Sequence, residues 1–525
     1  MGIQKKENTA GTFAQRSKRS LLRIVFGRTM LIFLLMGINF GIVFYFLFAL
    51  AKDLPILFGS VEAFTAVMLI HLINTRDNPS VKLSWAFVIS TVPLLGAALY
   101  FFIQFDLGHR VNRKMLERSR NISTPFLPDQ QHLMQTVKSE DKHLYNLAHY
   151  LKEQGNFPIY QNSEVTYFPV GEDMFREMLT QLEQADKFIF MEYFLVSEGQ
   201  MWDQILEVLR RKAAAGVEVR FLYDGMNAFT NLPYSYPEEL ENQGIHCKMF
   251  APIQPFVSTH YNNRDHRKIT VIDGHTAFTG GINLEDRYIN VNSPYGHWKD
   301  TAVIIKGDAV QSFTMMFLQM WNYNERELIF VPYLTPPEHS AHSEGYVIPY
   351  GDCPMGKERV GEAVYLDMLN RATDYAWIMT PYLIPDNELL TALCFAAKRG
   401  VDVRLILPGI PDKKTVYALS RSYYRQLLES GVKIYEYTPG FLHAKGVLCD
   451  DLHGVVGTVN LDYRSLYHHF ECAAYLYRVP ALADLKEDFL STFSASRCIS
   501  PEDLRKQPLL SRIFAYIAKF AAPLV

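Results

Sequence analysis

A short polar motif occurs twice in this chain, at matching places in two similar segments, and this duplication restricts the possible folds more than any other feature. Both copies have the form His-x-Lys-x-x-x-x-Asp, and in both an asparagine follows 15 residues after the lysine. The copies are His266, Lys268, Asp273 and Asn283, and then His443, Lys445, Asp450 and Asn460. Polar residues at equal offsets predict two homologous halves within one fold.

The segments around the motif repeat as well. Residues 214–225 (AAGVEVRFLYDG) match residues 398–409 (KRGVDVRLILPG), and we align residues 190–195 (FMEYFL) with residues 379–384 (MTPYLI). Short β-branched and aromatic runs alternate with polar-faced helical stretches. This pattern predicts an α/β fold, made of tandem α/β/α sandwich halves related by pseudo-twofold symmetry.

The residue types of the motif suit phosphodiester chemistry. On a strand, the histidine and lysine of one motif point to the same face, and pseudo-twofold symmetry would bring both pairs into one site. The lysines and asparagines would stabilise charge on the phosphoryl oxygens. One imidazole would attack phosphorus, and the other would move the proton of the alcohol. We expect no metal and no other cofactor, since the sequence shows no acidic metal cluster and no CxxC pair.

Each imidazole needs an acceptor at its second nitrogen, which fixes its tautomer. We expect Glu471, in the segment HHFE, to orient His443, and Asp300, in the segment HWKD, to orient His266. Either carboxylate could instead bond to the backbone or to a surface arginine.

Other polar residues of these segments have two interpretations. Asp273 and Asp450 complete the motifs and are predicted to be catalytic with them, although their turn-like positions also suit a structural role. The adjacent His468 and His469 are interpreted as structural residues or as part of the rim of the site.

The first hundred residues differ from the rest in composition. Residues 1–28 carry seven basic residues and one acidic residue, and residues 29–51 carry no charge. Residues 83–105 form a second uncharged run, long enough to cross a hydrocarbon core of about 30 Å. The apolar residues 54–75 between them are interrupted by Glu62 and His71. Basic residues on both sides favour two crossings and hydropathy favours three, so the number stays open.

We therefore expect six regions in the chain. They are a basic N-terminal segment (1–28), a transmembrane region of two or three helices (29–105), a linker (106–160), a first half (161–333), a second half (334–506) and an amphipathic C-terminal segment (507–525). In the last, apolar residues lie largely apart from Arg512 and Lys519. This pattern fits an interfacial membrane helix, and equally a helix packed on the catalytic part.

The paired motifs resemble those of the phospholipase D superfamily, and further segments resemble the bacterial cardiolipin synthases. These segments include residues 78–103, DHRKI (265–269), GGIN (280–283), WKDTAV (298–303), LHAK (442–445) and GTVNLDYRSL (457–466). The resemblance covers nearly all of the chain from about residue 75 onward. It departs from the family pattern at the longer N-terminus, which concerns topology and not chemistry.

This resemblance implies a reaction, partners and a location. Two phosphatidylglycerol molecules would give cardiolipin and glycerol, with His266 as nucleophile and His443 as general acid/base. The partners would be these lipids and the bilayer. The protein would be a multi-pass protein of the bacterial cell membrane, with its catalytic part on the cytoplasmic side.

Other functions share the same motifs. A membrane-tethered hydrolase or nuclease would use this site, as would a transferase similar to phosphatidylserine synthase. A formal net charge of −3 argues against a nucleic-acid partner. A scaffold with an inactive site is disfavoured because both motifs are intact. The sequence leaves open the order of the two histidines, the acyl-chain preference, other co-substrates and the oligomeric state.

Overall fold

The chain forms two compact units, residues 1–105 and residues 106–525. The computed structural model describes residues 55–104, 107–128, 130–252, 263–334, 343–356, 358–506 and 509–524, with five residues between 37 and 45. The basic segment 1–28 and almost all of the uncharged run 29–51 lie outside the described residues.

Three apolar helices make up most of the described part of the first unit. They are α1 (Pro55–Ile73), α2 (Pro79–Thr91) and α3 (Pro93–Gln104). The uncharged run 83–105 is not one continuous helix, because Val92 leaves helical geometry (φ −141°, ψ 69°) before Pro93 begins α3. None of the helices described is both long and apolar enough to span a bilayer. The crossings expected within residues 29–105 stay a prediction.

The second unit begins with helices and continues into a seven-stranded mixed sheet. The helices are α4 (Leu107–Ser123), α5 (Gln131–Glu140) and α6 (Lys142–Tyr150). The strands that follow are β1 (Ser163–Phe168), β2 (Phe188–Tyr193), β3 (Glu218–Asp224), β4 (His246–Phe250), β5 (Arg264–Asp265), β6 (Lys268–Ile272), β7 (Thr276–Gly280), β8 (His297–Lys299) and β9 (Ala302–Gly307). The helices among them are α7 (Gly171–Glu183), α8 (Gln200–Ala214), α9 (Asn227–Thr230), α10 (Tyr236–Glu241) and α11 (Val310–Trp321).

A second mixed sheet follows in the chain. Its part of the chain has the strands β10 (Tyr346–Asp352), β11 (Tyr375–Met379), β12 (Leu383–Ile384), β13 (Asp402–Pro408), β14 (Lys433–Tyr437), β15 (Gly440–Leu442), β16 (Gly446–Cys449), β17 (His453–Gly457), β18 (Leu461–Asp462), β19 (His469–Tyr477) and β20 (Ser496–Cys498). The helices are α12 (Val360–Arg371), α13 (Asn387–Lys398), α14 (Lys414–Glu429), α15 (Tyr463–Tyr467), α16 (Ala481–Ser494), α17 (Pro501–Arg505) and α18 (Leu509–Ala521).

The two sheets have the same strand order. The first runs β1-β9-β7-β6-β2-β3-β4, and the second runs β10-β19-β17-β16-β11-β13-β14 with β20 added at its edge. In the first sheet the pairs β2-β3 and β3-β4 are parallel, and in the second the matching pairs β11-β13 and β13-β14 are parallel. The other pairings in these two orders are antiparallel. The repeat seen in the sequence is therefore a repeat of the mixed α/β fold.

The strand register corrects one alignment made from sequence. Phe190 pairs with Val271, three residues beyond the first motif lysine, and Trp377 pairs with Leu448, three residues beyond the second. Phe190 thus matches Trp377, and the alignment with residue 379 is wrong by two residues. The similar aromatic and aliphatic runs in the two segments led to the wrong offset.

Apolar cores cover both faces of each sheet. One core lies between the first sheet and α7 and α8, and a second between the other sheet and α12, α13 and α14. A third core includes strands of both sheets with α11 and α16, around Phe317 and Phe489. Because interiors are closely packed, this shared core holds the two sheets in a fixed relation and positions the residues at their junction.

Candidate active site

Each motif histidine lies in a short connection held by a strand from the opposite half. His266 follows β5, which pairs with β19, and His443 follows β15, which pairs with β8. The backbone N–H of His266 donates to the Phe470 carbonyl at 2.9 Å, and that of His443 donates to the Lys299 carbonyl at 2.7 Å. The two histidines are therefore held by equivalent contacts that run across the junction.

The carboxylates cross the same junction. His266 Nδ1 lies 2.9 and 3.0 Å from the oxygens of Glu471, and His443 Nδ1 lies 2.6 Å from Asp300 Oδ2. Glu471 and Asp300 do contact the motif histidines, but the pairing predicted from sequence is wrong, since the two partners are exchanged. The reason is the strand crossing, because each carboxylate directly follows the residue whose carbonyl holds the opposite histidine.

The two motif lysines lie beside their own histidines and are buried. Lys268 Nζ donates to the His266 carbonyl at 2.5 Å, and Lys445 Nζ donates to the His443 carbonyl and lies 2.7 Å from His443 Nδ1. Burial lowers the pKa of Lys268 to about 8 and that of Lys445 to about 7. The charge of Lys268 lowers the pKa of Lys445 further. Both ammonium groups are buried, and a buried charge is stabilised by an opposite charge, so the pair favours a bound anion.

His266 is a neutral imidazole on an ionised carboxylate. Burial lowers the pKa of His266 well below its usual value, although Glu471 opposes this shift. Burial alone would raise the pKa of Glu471, but His266 and His469 outweigh it and hold that pKa below its usual range. Glu471 also accepts hydrogen bonds from Ser465 Oγ (2.6 Å) and from Thr458 Oγ1. The Nδ1 proton of His266 therefore points to Glu471, and Nε2 keeps its lone pair.

His443 contacts two ionisable side chains, Asp300 and Lys445, whose pKa values lie near neutral pH. Burial raises the pKa of Asp300 to about 6, while Lys445 opposes the shift. Burial lowers the pKa of His443 well below its usual value, and Lys445 and Lys268 lower it further. An anion bound at the lysines would remove that repulsion and allow His443 to take up a proton. This setting suits an acid/base, whereas that of His266 suits a nucleophile.

The two motif asparagines differ in their contacts. Asn283 Oδ1 accepts from the backbone N–H of Leu195 at 3.0 Å, and its Nδ2 donates to Tyr288 Oη at 2.7 Å. The buried Oδ1 of Asn460 has no hydrogen-bond partner among the residues the structure describes. Asn283 thus holds a loop in place, while Asn460 has an oxygen available for a ligand.

Asp273 and Asp450 lie away from the imidazoles, at the far ends of β6 and β16. Each lies about 16 Å along its strand from the motif lysine. Asp273 accepts from the backbone N–H groups of residues 186–188 at 2.7 to 2.8 Å, and Asp450 accepts from those of residues 373–375 at 2.7 to 2.9 Å. Both have a left-handed backbone (φ 52° and 53°). The geometry therefore fits the structural interpretation of these two residues rather than the catalytic one.

Aromatic rings line the histidines, and the sequence reasoning did not include them in the site. The ring of Phe194 lies 5.0 Å from that of His266, and the rings of Tyr288 and Trp298 lie 5.4 and 5.3 Å from that of His443. Trp298 could have been found from its place two residues before Asp300. These rings lower the polarity around both imidazoles.

His469 is a third imidazole at the site. Its ring lies 5.2 Å from the ring of His266, and its Nδ1 lies 3.4 Å from Glu471 Oε1 without making a hydrogen bond. His266, His469 and Glu471 offer ligand atoms that all lie within 4.8 Å of one another, so they could hold a metal ion. The same holds for Glu362, Asp386 and Glu388 in the second half.

Two family models match the chain. Residues 178–321 and 365–493 match the family described as cardiolipin synthase, PLD-like domain, and residues 63–104 match the phospholipase D-nuclease N-terminal family.

Individual proteins and structures are similar as well. An uncharacterized protein of Streptococcus mutans is 49% identical over 87% of this chain and 99% of that protein. A cardiolipin synthase of Alkalihalophilus pseudofirmus is 34% identical over 89% of this chain and 93% of that protein. The crystal structure of the phosphatidylserine synthase of Haemophilus influenzae shares the fold at a TM-score of 0.53 and 16% identity, over 73% of this chain and all of that one. With matches of this identity and length, the chain belongs to the cardiolipin synthase family of phospholipase D-like proteins.

Proposed function

We propose that this protein is a phosphatidyltransferase that converts two phosphatidylglycerol molecules into cardiolipin and glycerol. The observation that carries the proposal is the crossed arrangement of the site. Two imidazoles, each held at Nδ1 by a carboxylate of the opposite half, lie beside two buried lysines. The identity with cardiolipin synthases over most of the chain supports the choice of lipid.

In the first step, Lys268 and Lys445 bind the phosphate of one phosphatidylglycerol. Nε2 of His266 attacks phosphorus, and the bond from phosphorus to the glycerol oxygen breaks. His443 gives its proton to that oxygen, so that glycerol leaves and a phosphatidyl-histidine stays on His266.

In the second step, His443 takes a proton from a glycerol hydroxyl of the second phosphatidylglycerol. That oxygen attacks phosphorus, the phosphorus–nitrogen bond breaks, and cardiolipin forms with both histidines restored. The balance is two lipids in, and one cardiolipin and one glycerol out. His266 and His443 are only 6% and 8% exposed, which favours a lipid alcohol over water as acceptor.

We also propose the setting of this site. The two halves, residues 161–333 and 334–506, are related by a pseudo-twofold axis that passes between the motifs, which the equal strand orders and the equivalent crossed contacts support. The N-terminal region 29–105 attaches the protein to the bacterial cell membrane as a multi-pass segment, with residues 106–160 as linker and the catalytic part on the cytoplasmic side. The match to an N-terminal family over residues 63–104 supports this part.

The proposal is tested with purified protein and phosphatidylglycerol as the sole lipid, in mixed micelles with a chelator. We expect cardiolipin and glycerol in equal amounts. Phosphatidic acid as the sole product would show a hydrolase instead.

The order of the histidines is tested with phosphatidylglycerol labelled in its phosphate, quenched in base to preserve phosphohistidine. The label should appear on the peptide that contains His266 and should be absent from the His266→Ala variant. Label on the peptide that contains His443 would reverse the two roles.

A further inference from the structure

A second polar cavity lies in the second half, between α14, α17 and α18, away from the histidine pair. Its volume is about 220 Å³. Four arginines line it, with one glutamate and an aromatic ring: Arg421, Arg425, Arg505, Arg512, Glu429 and Tyr516. The mechanism above uses none of these residues.

The charge of this cavity is only partly neutralised. Arg425 pairs with Glu429 at 2.8 Å. The Nε of Arg421 is buried without a hydrogen bond, and Glu436 Oε1 lies 3.7 Å away. Arg505 and Arg512 are exposed and make no ion pair with the described residues. Arginines in this number match a phosphate group, which accepts several N–H donors at once.

Helix α18 presents an apolar face beside the cavity. Ile513, Phe514 and Ile517 are 45% to 65% exposed, while Ala515 on the opposite side is 5% exposed. Helix α18 packs on α14 through the side that carries Ala515, where the Lys519 ammonium lies 3.9 Å from the centre of the Tyr423 ring. These three large apolar side chains are therefore left about half-exposed to solvent.

A basic cavity next to an exposed apolar helix face fits the surface of an anionic bilayer. Phosphate groups there lie at the depth of the headgroups, and the acyl boundary begins a few ångströms below. Basic side chains near such a surface are attracted to anionic lipids, and apolar side chains on an adjacent helix enter the boundary.

We propose that this cavity binds the phosphate-bearing headgroup of an anionic phospholipid in the membrane, while Ile513, Phe514 and Ile517 enter the acyl boundary. The site fixes the second half to the bilayer surface through its own residues. The inference does not depend on which phosphodiester the histidines cleave, so its test is separate from a test of activity.

The test uses the full-length protein in vesicles. In a Cys498→Ser background, which removes an exposed native thiol, Ile517→Cys carries a fluorophore whose emission rises in apolar surroundings. We expect higher emission in vesicles of phosphatidylcholine with 30 mol% phosphatidylserine than in phosphatidylcholine alone, a composition chosen only to vary surface charge. The variant Arg505→Glu/Arg512→Glu should lose at least about half of this difference.

The matched control is Arg176→Glu/Arg210→Glu, with the same change of charge at two exposed arginines of α7 and α8. It should keep the full difference, and both double variants should unfold at the parent temperature in detergent, followed by circular dichroism, which shows that they fold. Equal emission in the two kinds of vesicle, or an equal loss in both double variants, would refute the proposal. If inorganic phosphate at millimolar concentration abolished the difference, the cavity would be a site for a soluble anion and the lipid assignment would be wrong.

Discussion

At the scale of single residues, two carboxylates in unlike surroundings control the protons of the site. Glu471 is held ionised, with hydroxyl donors besides His266, whereas the pKa of Asp300 is raised by burial to about 6. Glu471 is therefore held as a hydrogen-bond acceptor. Asp300 can share a proton with His443, which suits a group that must both give and take one.

The crossed pairing predicts which carboxylate variant can still carry out the first step when the substrate has a better leaving group. A p-nitrophenyl phosphodiester releases an anion that needs no proton, so the first step no longer requires His443. Asp300→Asn should lower turnover of phosphatidylglycerol by about 10²- to 10⁴-fold and yet keep the initial burst of p-nitrophenolate. Glu471→Gln should lose both, because it disturbs His266, the proposed nucleophile.

Stopped-flow absorbance measures this burst, with His443→Ala and His266→Ala as the matching controls. A burst that Glu471→Gln keeps and Asp300→Asn loses would restore the pairing predicted from sequence.

The buried ionisable groups also predict a pH profile for kcat/KM. Lys445 and Lys268 have pKa values of about 7 and about 8, so they lose their charge as the pH rises through this range and bind a phosphodiester less well. Asp300, with a pKa of about 6, is protonated as the pH falls below that value and no longer accepts the Nδ1 proton of His443.

We therefore expect a bell-shaped profile with limbs near these values, measured in neutral mixed micelles so that the surface charge stays constant. An alkaline limb only above about pH 10, the ordinary range of lysine, would contradict it.

At the scale of elements, the turns that join paired strands depend on the last residue of each motif. Asp273→Ala leaves three backbone N–H groups without their acceptor, and we expect a loss of about 1 to 3 kcal/mol in the free energy of unfolding. The activity per folded molecule should stay unchanged, since this carboxylate does not reach the site.

Urea denaturation of the purified variant measures the loss, and Asp173→Ala is the control. Asp173 lies on the surface of α7 and pairs only with the exposed Arg176 in the described structure, so its removal should cost less than about 0.5 kcal/mol. If the Asp273→Ala variant were stable but inactive, this aspartate would be a catalytic residue and not a structural one.

The sequence predicted the strands and their repetition, because alternating patterns and duplicated spacings are local features. It did not predict the two-residue offset between β2 and β11, since a strand's register depends on its partners. With the offset corrected, Glu192 matches Met379 and Arg267 matches Ala444. The first half thus has a buried ion pair, with Arg267 Nη2 2.5 Å from Glu192 Oε1, where the second half has apolar side chains.

The sequence predicted which residues form the site better than it predicted which of them contact each other. His266, Lys268, His443 and Lys445 share one site because equal positions in two related halves meet at their junction. Which carboxylate serves which imidazole could not be predicted, since a duplicated sequence contains no information on whether contacts stay within a half or cross to the other.

At the scale of the whole molecule, a buried ion pair joins the two halves close to the site. Lys299 Nζ lies 2.7 and 2.8 Å from the oxygens of Asp488, and Tyr167 Oη donates to Asp488 at 2.6 Å. Lys299 is also the residue whose carbonyl holds His443. The stability of the junction and the geometry of the proposed acid/base, His443, therefore depend on one residue.

Asp488→Ala should destabilise the protein by about 3 to 5 kcal/mol, because it leaves a buried ammonium group without its partner. The double variant Lys299→Met/Asp488→Leu should recover most of that loss, since it removes both charges. Chemical denaturation measures both free energies. A double variant as unstable as Asp488→Ala would show that packing, and not the unpaired charge, causes the loss.

The crossed carboxylates also bear on how the two copies could diverge after duplication. A single ancestral half could have oriented its histidine only by associating with a second copy of itself, because its own carboxylate reaches the neighbour's imidazole. Within one chain the two copies can differ, and one carries aspartate (Asp300) where the other carries glutamate (Glu471). The two copies also depend on each other, because a change to the carboxylate of one half alters the surroundings of the histidine in the other half.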